Sequence, residues 1–323
     1  MKKILGRIYR YILTNTVGRL ETYRSKKRNR EVSCSWGKDN ADKCFYIIGI
    51  DFKMAGIFAI AKTVLSHIMY AEDHGYIPVV DLRNYRNQFL TLTKGNPWEM
   101  FFTQPTEWDL EKIACSKNII KSRNNQFISR DYECSIHSLN NPNNEIFLKQ
   151  RALYKKYFHF SSQVEQYVQE QYKKIIGNKK CVLGVLCRGT DYTQKKPKYH
   201  PVQPSPQMVI EKIHEIQQTS RCDYIYLATE DETILNIFRQ EFEDKLLYMP
   251  QKRFGYLANA NFISELNMDS QSRLILNIQY LASLYILSKC NYLIGGRTSG
   301  SIGAYLMSDG FEYSYFWDLG LYQ

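Results

Sequence analysis

The stretch Cys181-Val-Leu-Gly-Val-Leu-Cys-Arg-Gly-Thr-Asp191 decides the predicted fold and carries a candidate site. Its first seven residues are apolar or small, which is typical of a strand buried in a parallel sheet. Open α/β sheets bind ligands just beyond the carboxyl ends of their strands. Arg188 stands at such an end, next to Gly189, which lets the backbone turn sharply, so the stretch predicts a phosphate or pyrophosphate site. A surface ion pair between Arg188 and Asp191 is the alternative that this stretch leaves open.

The rest of the chain alternates strands and helices. A strand over 44–50 is followed by a loop, a helix over 57–74 and a strand over 77–80, and the second half repeats this order. Such alternation predicts parallel sheets covered on both faces, here two Rossmann-like domains facing a cleft. A helix over 152–176 holds the predicted boundary, with an N-terminal domain over 40–165 and a C-terminal domain over 166–323.

Three strand ends of the second domain are expected to meet. The turn after strand 224–228 has Thr229 as the predicted cap of a helix, with Glu232 completing a capping box. The turn after strand 292–295 brings a second cation and a helix start rich in small and hydroxyl residues, which suits an anion. An ordinary helix cap is the alternative there. The expected ligand residues are Arg188, Gly189, Thr190, Thr229, Glu230, Asp231, Arg297, Thr298, Ser299, Gly300 and Ser301, with Gly56 from the first domain.

The net charge of +11 lies mostly in the leader, residues 1–35. Residues 1–30 hold ten basic residues and one acidic residue, so the remainder carries only +2. Apolar residues at helical spacing among these cations predict a helix lying on an anionic inner membrane surface. A helix packed on the protein is the alternative, and a nucleic-acid arm would leave the apolar stripe without a role. We therefore expect a cytoplasmic, peripheral protein that does not bind nucleic acid.

The eight cysteines are scattered without a C-x-x-C pair, and we expect them to be reduced. Histidine and cysteine show no zinc spacing, and no G-x-x-x-x-G-K-[ST] phosphate loop is present. The acidic run 230–232 is expected to cap a helix rather than to hold a metal. The expectation is therefore a site without metal or cofactor.

The order and spacing of these motifs resemble one superfamily: the core α1,6-fucosyltransferases, the bacterial nodulation fucosyltransferases and the protein O-fucosyltransferases. The similar segments are Gly184–Tyr192, Tyr199–Pro201, Tyr224–Asp231 and Ser288–Ser299, and the resemblance covers about 44–305. It implies a GT-B fold, GDP-fucose as donor, no metal requirement and inversion at the sugar carbon.

The first motif of the superfamily reads approximately H-x-R-R-x-D. Here Arg188 matches the first arginine and Asp191 matches the acid, whereas Leu186 replaces the histidine and Gly189 the second arginine. The resemblance thus implies that Arg188 binds the β-phosphate. The candidate bases are Asp191, ranked first, Asp51 and His200.

The predicted function is fucosyl transfer to a glycan or lipid-linked saccharide, in synthesis of bacterial surface polysaccharide. Two alternatives stay open: a transferase for another GDP-sugar, and a catalytically weak module that binds sugar nucleotides.

Overall fold

The first of two sheets is mixed. The computed structural model describes residues 31–53, 55–122, 130–257 and 262–323. Its first four strands are Val32–Cys34 (β1), Phe45–Ile48 (β2), Ile77–Val80 (β3) and Ile119–Lys121 (β4), in the spatial order β1-β4-β2-β3. The strand β2 pairs in parallel with β3 and β4, and β1 is an antiparallel edge. The predicted helix between β2 and β3 is Ile57–Asp73 (α1).

Two helices stand where one was predicted. Glu145–Tyr157 (α2) and Ser162–Ile175 (α3) are separated by an extended segment. The amide of Thr103 donates to the carbonyl of His159 at 2.9 Å, and the amide of Ser161 donates to the carbonyl of Phe101 at 3.0 Å. The prediction of one continuous helix was wrong because this pairing with a distant segment holds the backbone extended.

The second sheet has five strands, all parallel: Val182–Leu186 (β5), Tyr224–Ala228 (β6), Leu246–Leu247 (β7), Tyr292–Gly296 (β8) and Tyr313–Trp317 (β9). Its helices are Pro206–Thr219 (α4), Glu232–Phe242 (α5), Ser270–Ser288 (α6) and Ser299–Met307 (α7). The spatial order is β7-β6-β5-β8-β9. The chain therefore adds β6 and β7 on one side of β5 and then β8 and β9 on the other, so the strand order reverses between β5 and β8. The predicted α/β class is confirmed, and ligand crevices of such sheets lie at this reversal.

One apolar core contains residues from the helices and strands of both halves. The helix α7 packs against α1, α2 and α6, and a side chain at Gly303 would meet Phe58 of α1 at 2.9 Å. Trp98, Phe101 and Phe102 are fully buried and belong to this core. The helix α3 packs on α6. The domain limits at 40–165 and 166–323 stay predictions.

Cys181 and Cys222 form a disulfide that links the starts of β5 and β6. The expectation that all eight cysteines are reduced was therefore wrong for this pair, because the parallel register of β5 and β6 brings the two thiols together. Among the described residues no helix is long and apolar enough to cross a membrane. The predicted leader helix, in residues 1–30, lies outside the described part of the chain.

Candidate functional site

The two arginines singled out in the sequence lie beyond neighbouring strands. Leu186 of β5 is paired with Gly295 of β8, and each arginine comes two residues later. Ala228 of β6, also paired with Leu186, leads into Thr229 on the other side. The predicted convergence of three strand ends is thus present at the point where the strand order reverses.

Arg188 lies between two carboxylates. Its Nη2 donates to Oδ1 of Asp191 at 2.9 Å, and its Nε is 3.4 Å from Oε2 of Glu230. The ring of Tyr192 covers the guanidinium, with the centroid 5.1 Å from Cζ. Burial works to lower the pKa of Arg188, but the two carboxylates outweigh it and raise the pKa, so the arginine stays charged. The side chain is 17% exposed, so the predicted pair with Asp191 exists but is not a surface pair.

Gly189 is packed against the acidic turn that follows β6. Its amide donates to Oε1 of Glu230 at 2.9 Å, and the next amide, of Thr190, donates to Oδ2 of Asp231 at 2.8 Å. A Cβ atom on Gly189 would stand 2.6 Å from Cβ and 2.7 Å from Cγ of Asp231. A second arginine has no room at this position, because Asp231 occupies the space that its side chain would enter.

Asp231, rather than Thr229, caps helix α5. Its Oδ1 accepts from the amides of Thr233 at 2.8 Å and Ile234 at 3.1 Å. The hydroxyl of Thr229 accepts from the amide of Asp231 instead. The predicted capping box was therefore wrong by two residues, since the helix begins at Glu232. Asp231 thus joins the turn after β5 to the start of α5.

Burial raises the pKa of Glu230, and the charge of Arg188 opposes this shift. The carboxyl accepts from the hydroxyl of Thr190 at 3.0 Å as well as from Gly189. Thr190 itself has φ of 33°, which is unfavourable for a side chain branched at Cβ. A π-helical turn, Asp191–Lys195, follows at once. Strained backbone and π turns concentrate at functional sites, and both occur directly after Arg188.

Arg297 is 6% exposed and pairs with Asp318, whose Oδ2 lies 2.6 Å from its Nη1. Helix α7 begins two residues later, and the hydroxyl of Thr298 accepts from the amide of Ser301. The ordinary cap is thus present. The first amides of a helix have no partner within it, so those of Ser299 and Gly300 can still face an anion.

Three buried polar atoms near the ends of β5 and β8 make no hydrogen bond among the described residues. They are Nε of Arg188, Nε of Arg297 and Oε1 of Gln203. Gln203 lies against β8, where its Cδ would be 2.8 Å from a Cβ on Gly296. Buried polar groups are nearly always paired, so these three atoms are candidates for contact with a polar ligand.

The remaining predicted residues are distributed around this centre. His200 packs edge-on to Tyr192, with its Nδ1 3.5 Å from the phenol oxygen, and burial lowers its pKa. Asp51 makes an ion pair with Arg86 at 2.9 Å. Gly56 precedes α1 with open space where a side chain would stand. In the described residues no cluster of His, Cys, Asp and Glu has a metal-binding arrangement.

The sequence reasoning missed Tyr280 and Asp318. Tyr280 projects from α6, and its hydroxyl would lie 2.9 Å from a Cβ on Gly300. Burial raises its pKa to about 12, and it interacts electrostatically with Arg188. The sequence signal that could have indicated Tyr280 is a tyrosine within an otherwise apolar part of a helix. Asp318 follows β9, a strand that was not predicted, so nothing in the sequence connected it with Arg297.

Comparison with known proteins gives a likeness in fold. No protein-family model matches the chain, and neither does any curated protein sequence. The structure of NodZ alpha-1,6-fucosyltransferase soaked with GDP-fucose matches with a TM-score of 0.50 and 14% identity, over 82% of this chain and 93% of that one.

Two further structures are a mutant of Arabidopsis thaliana FUT1 in complex with GDP and POFUT1 in complex with GDP-fucose. Their TM-scores are 0.49 and 0.46 at 12% and 11% identity; they cover 87% of this chain each, and it covers 72% and 100% of theirs. The NodZ likeness, at 14% identity, confirms the predicted α/β fold and says nothing of this chain's own activity or substrate.

Proposed function

We propose that the chain is an inverting glycosyltransferase that moves fucose from GDP-fucose to a saccharide acceptor. The observation that carries this proposal is the pair of buried guanidinium groups, Arg188 and Arg297, at neighbouring strand ends, each with an Nε that makes no hydrogen bond among the described residues. Two cations with unused donors suit the two negative phosphates of a nucleotide diphosphate. GDP-fucose is the member of that class favoured by the likeness to NodZ.

In the proposed reaction an acceptor hydroxyl attacks the anomeric carbon while the bond from that carbon to the β-phosphate oxygen breaks. The electron pair of that bond leaves with GDP, and the configuration inverts. Arg188, Arg297 and the first amides of α7 stabilise the departing charge, which is the electrostatic part of catalysis. The arginines supply the positive charge, so the proposal requires no metal or cofactor.

The hydroxyl proton goes to a base, and we rank the three candidates by the contacts that each makes. Asp191 is 4% exposed and its carboxylate is held by Arg188, while Asp51 is held by Arg86. Both carboxylates are thus already engaged by an arginine. His200 is half-buried with a lowered pKa, so its neutral form is available near pH 7. We assign the base to His200.

The test of the diphosphate assignment is Arg188→Ala together with Arg188→Ala/Glu230→Gln. Arg188→Ala alone leaves the largely buried carboxylate of Glu230 without its cation, which can destabilise the fold. The double variant also removes that carboxylate, so it controls for instability. Both should lose detectable transfer and bind GDP at least tenfold more weakly, from a charge-assisted contact of about 1.5–3 kcal/mol. Wild-type GDP affinity in a folded double variant would exclude the assignment.

The test of the base is His200→Gln. We expect kcat to fall by about 10²–10⁴-fold, the range for loss of a general base, with GDP affinity unchanged. The acidic limb of the wild-type pH profile should also disappear, since it reports protonation of this imidazole. A preserved acidic limb in His200→Gln would assign the base elsewhere, to Asp191 or Asp51.

A binding module without strong catalysis is the second candidate function. It is favoured by the pairing of Arg188 with Asp191 and Glu230 and by the lack of space for a second arginine at Gly189. Release of GDP from GDP-fucose only in the presence of acceptor distinguishes the transferase from this module. A panel of GDP-sugars and UDP-sugars in thermal shift identifies the donor. The role in surface polysaccharide and the inner-membrane location rest on the leader alone and stay proposals.

A further inference from the structure

The segment that closes the π turn and continues beyond it is strongly cationic and contains no acidic residue. We name Gln194–Tyr199 the lysine loop; it holds Lys195, Lys196 and Lys198. None of these three lysines makes an ion pair among the described residues, although thirteen ion pairs are formed elsewhere in that part of the chain. The loop thus presents three positive charges without an ion-pair partner in the part of the chain that the structure describes.

The lysine loop is held in a fixed conformation rather than left as a solvated charge run. Gln194 donates from Nε2 to the carbonyl of Gly255 at 3.1 Å and accepts at Oε1 from the amide of Leu257 at 3.0 Å. Lys196 and Tyr199 have φ of 44° and 65°, a backbone region that disfavours their side chains. Such strain persists only where the surroundings impose it, and it concentrates at ligand sites.

Two exposed aromatic rings flank these charges. Tyr199 is 71% exposed and Tyr256 is 78% exposed. Lys198 lies 5.0 Å from the ring of Tyr199, and Lys195 lies 5.4 Å from the ring of Tyr256. An exposed tyrosine offers a flat apolar face with a polar rim. Such faces suit the C–H face of a sugar ring, and the lysines beside them suit a carboxylate or phosphate on that sugar.

The lysine loop also adjoins the reaction centre. It follows Tyr192, whose ring covers Arg188, and it precedes His200, which packs on the same ring. A molecule bound across the loop therefore has one end near His200, the proposed base for the acceptor hydroxyl. This position favours the acceptor over an unrelated nucleic acid or membrane partner.

We propose that the lysine loop binds an anionic acceptor saccharide, one that bears a carboxylate or a phosphate close to the hydroxyl that is glycosylated. The proposal rests on the proposed transferase function. Tyr199 and Tyr256 carry the sugar rings, and the lysines of the loop select the anionic group.

The test compares wild-type protein with the triple variant Lys195→Gln/Lys196→Gln/Lys198→Gln. A charge-matched control is Lys94→Gln/Lys117→Gln/Lys180→Gln, which removes three exposed lysines outside the loop. The acceptors are matched oligosaccharides ending in glucose, glucuronic acid or glucose 6-phosphate, with GDP-fucose as donor and the binding of GDP measured separately.

The wild type should prefer the charged acceptors, and the loop variant should raise their KM about tenfold, as expected for three exposed charge contacts. The KM of the neutral acceptor and the affinity for GDP should not change, nor should the control variant differ from wild type. Preference for the neutral acceptor, or a loop variant whose defect is in GDP binding, overturns the proposal.

A binding assay without donor separates this proposal from the transferase itself. Saturation-transfer NMR with the glucuronic-acid oligosaccharide should give signals that the loop variant loses, even if no sugar is transferred. Absence of transfer with intact binding would refute the transferase and leave the anionic saccharide site standing. Absence of saccharide binding to the wild type refutes the site. So does a loop variant that binds the saccharide normally and loses only its binding to phosphatidylglycerol vesicles.

Discussion

Substitution of Gly189 by alanine tests the claim that Asp231 occupies the place of a second arginine. The new Cβ would stand 2.6 Å from Cβ of Asp231, so the turn or the helix cap must move. Overpacking of this kind costs about 1–3 kcal/mol, and displacement of the cap costs about 1 kcal/mol more. We expect the free energy of unfolding to fall by about 2–4 kcal/mol in urea titrations.

A double-mutant cycle makes this prediction specific to the pair. Asp231→Gly removes the atoms that the alanine would meet, and glycine is itself an acceptable helix cap. The double variant Gly189→Ala/Asp231→Gly should therefore be about as stable as Asp231→Gly alone, with a coupling energy of at least about 1 kcal/mol. Gly255→Ala is the matched control, since no atom lies within 4 Å of its Cβ, and its effect should stay within about 0.5 kcal/mol. Additive effects of the two substitutions would refute the steric argument.

Three further predictions concern charge, cross-link and leader. The pKa of Glu230 is raised in the folded protein. Its contribution to stability is therefore present below the ordinary pKa of 4.5 and is lost as the pH rises through the folded value. In urea titrations between about pH 4 and 7, Glu230→Gln should flatten this decline in the free energy of unfolding. The disulfide of Cys181 and Cys222 closes a separation of 41 residues, so its reduction should lower the free energy of unfolding by about 4 kcal/mol. The control Cys115→Ser removes a free thiol and should have no effect. An unchanged Tm under reductant contradicts this prediction. Deletion of residues 1–30 should abolish sedimentation with anionic vesicles and leave GDP affinity intact, and retained sedimentation would count against the membrane assignment.

The alternating apolar runs were sufficient to predict most of the second sheet. Strands β5, β6 and β8 were found within one residue of their ends, because a buried parallel strand is an uninterrupted apolar run. The three-residue strands β1 and β4 and the edge strand β9 were missed, since their residues mix polar and apolar types and depend on a partner strand.

By itself, the sequence determined that Arg188 follows a buried strand and that a second cation follows another one. Only the tertiary structure decided what surrounds them. Asp231 excludes a side chain at Gly189, Glu230 faces Arg188, and Asp318 pairs with Arg297. These partners come from strand ends 42 residues away, or from an unpredicted strand, so no local pattern records them. Strand register creates such contacts, and register is a property of the folded sheet.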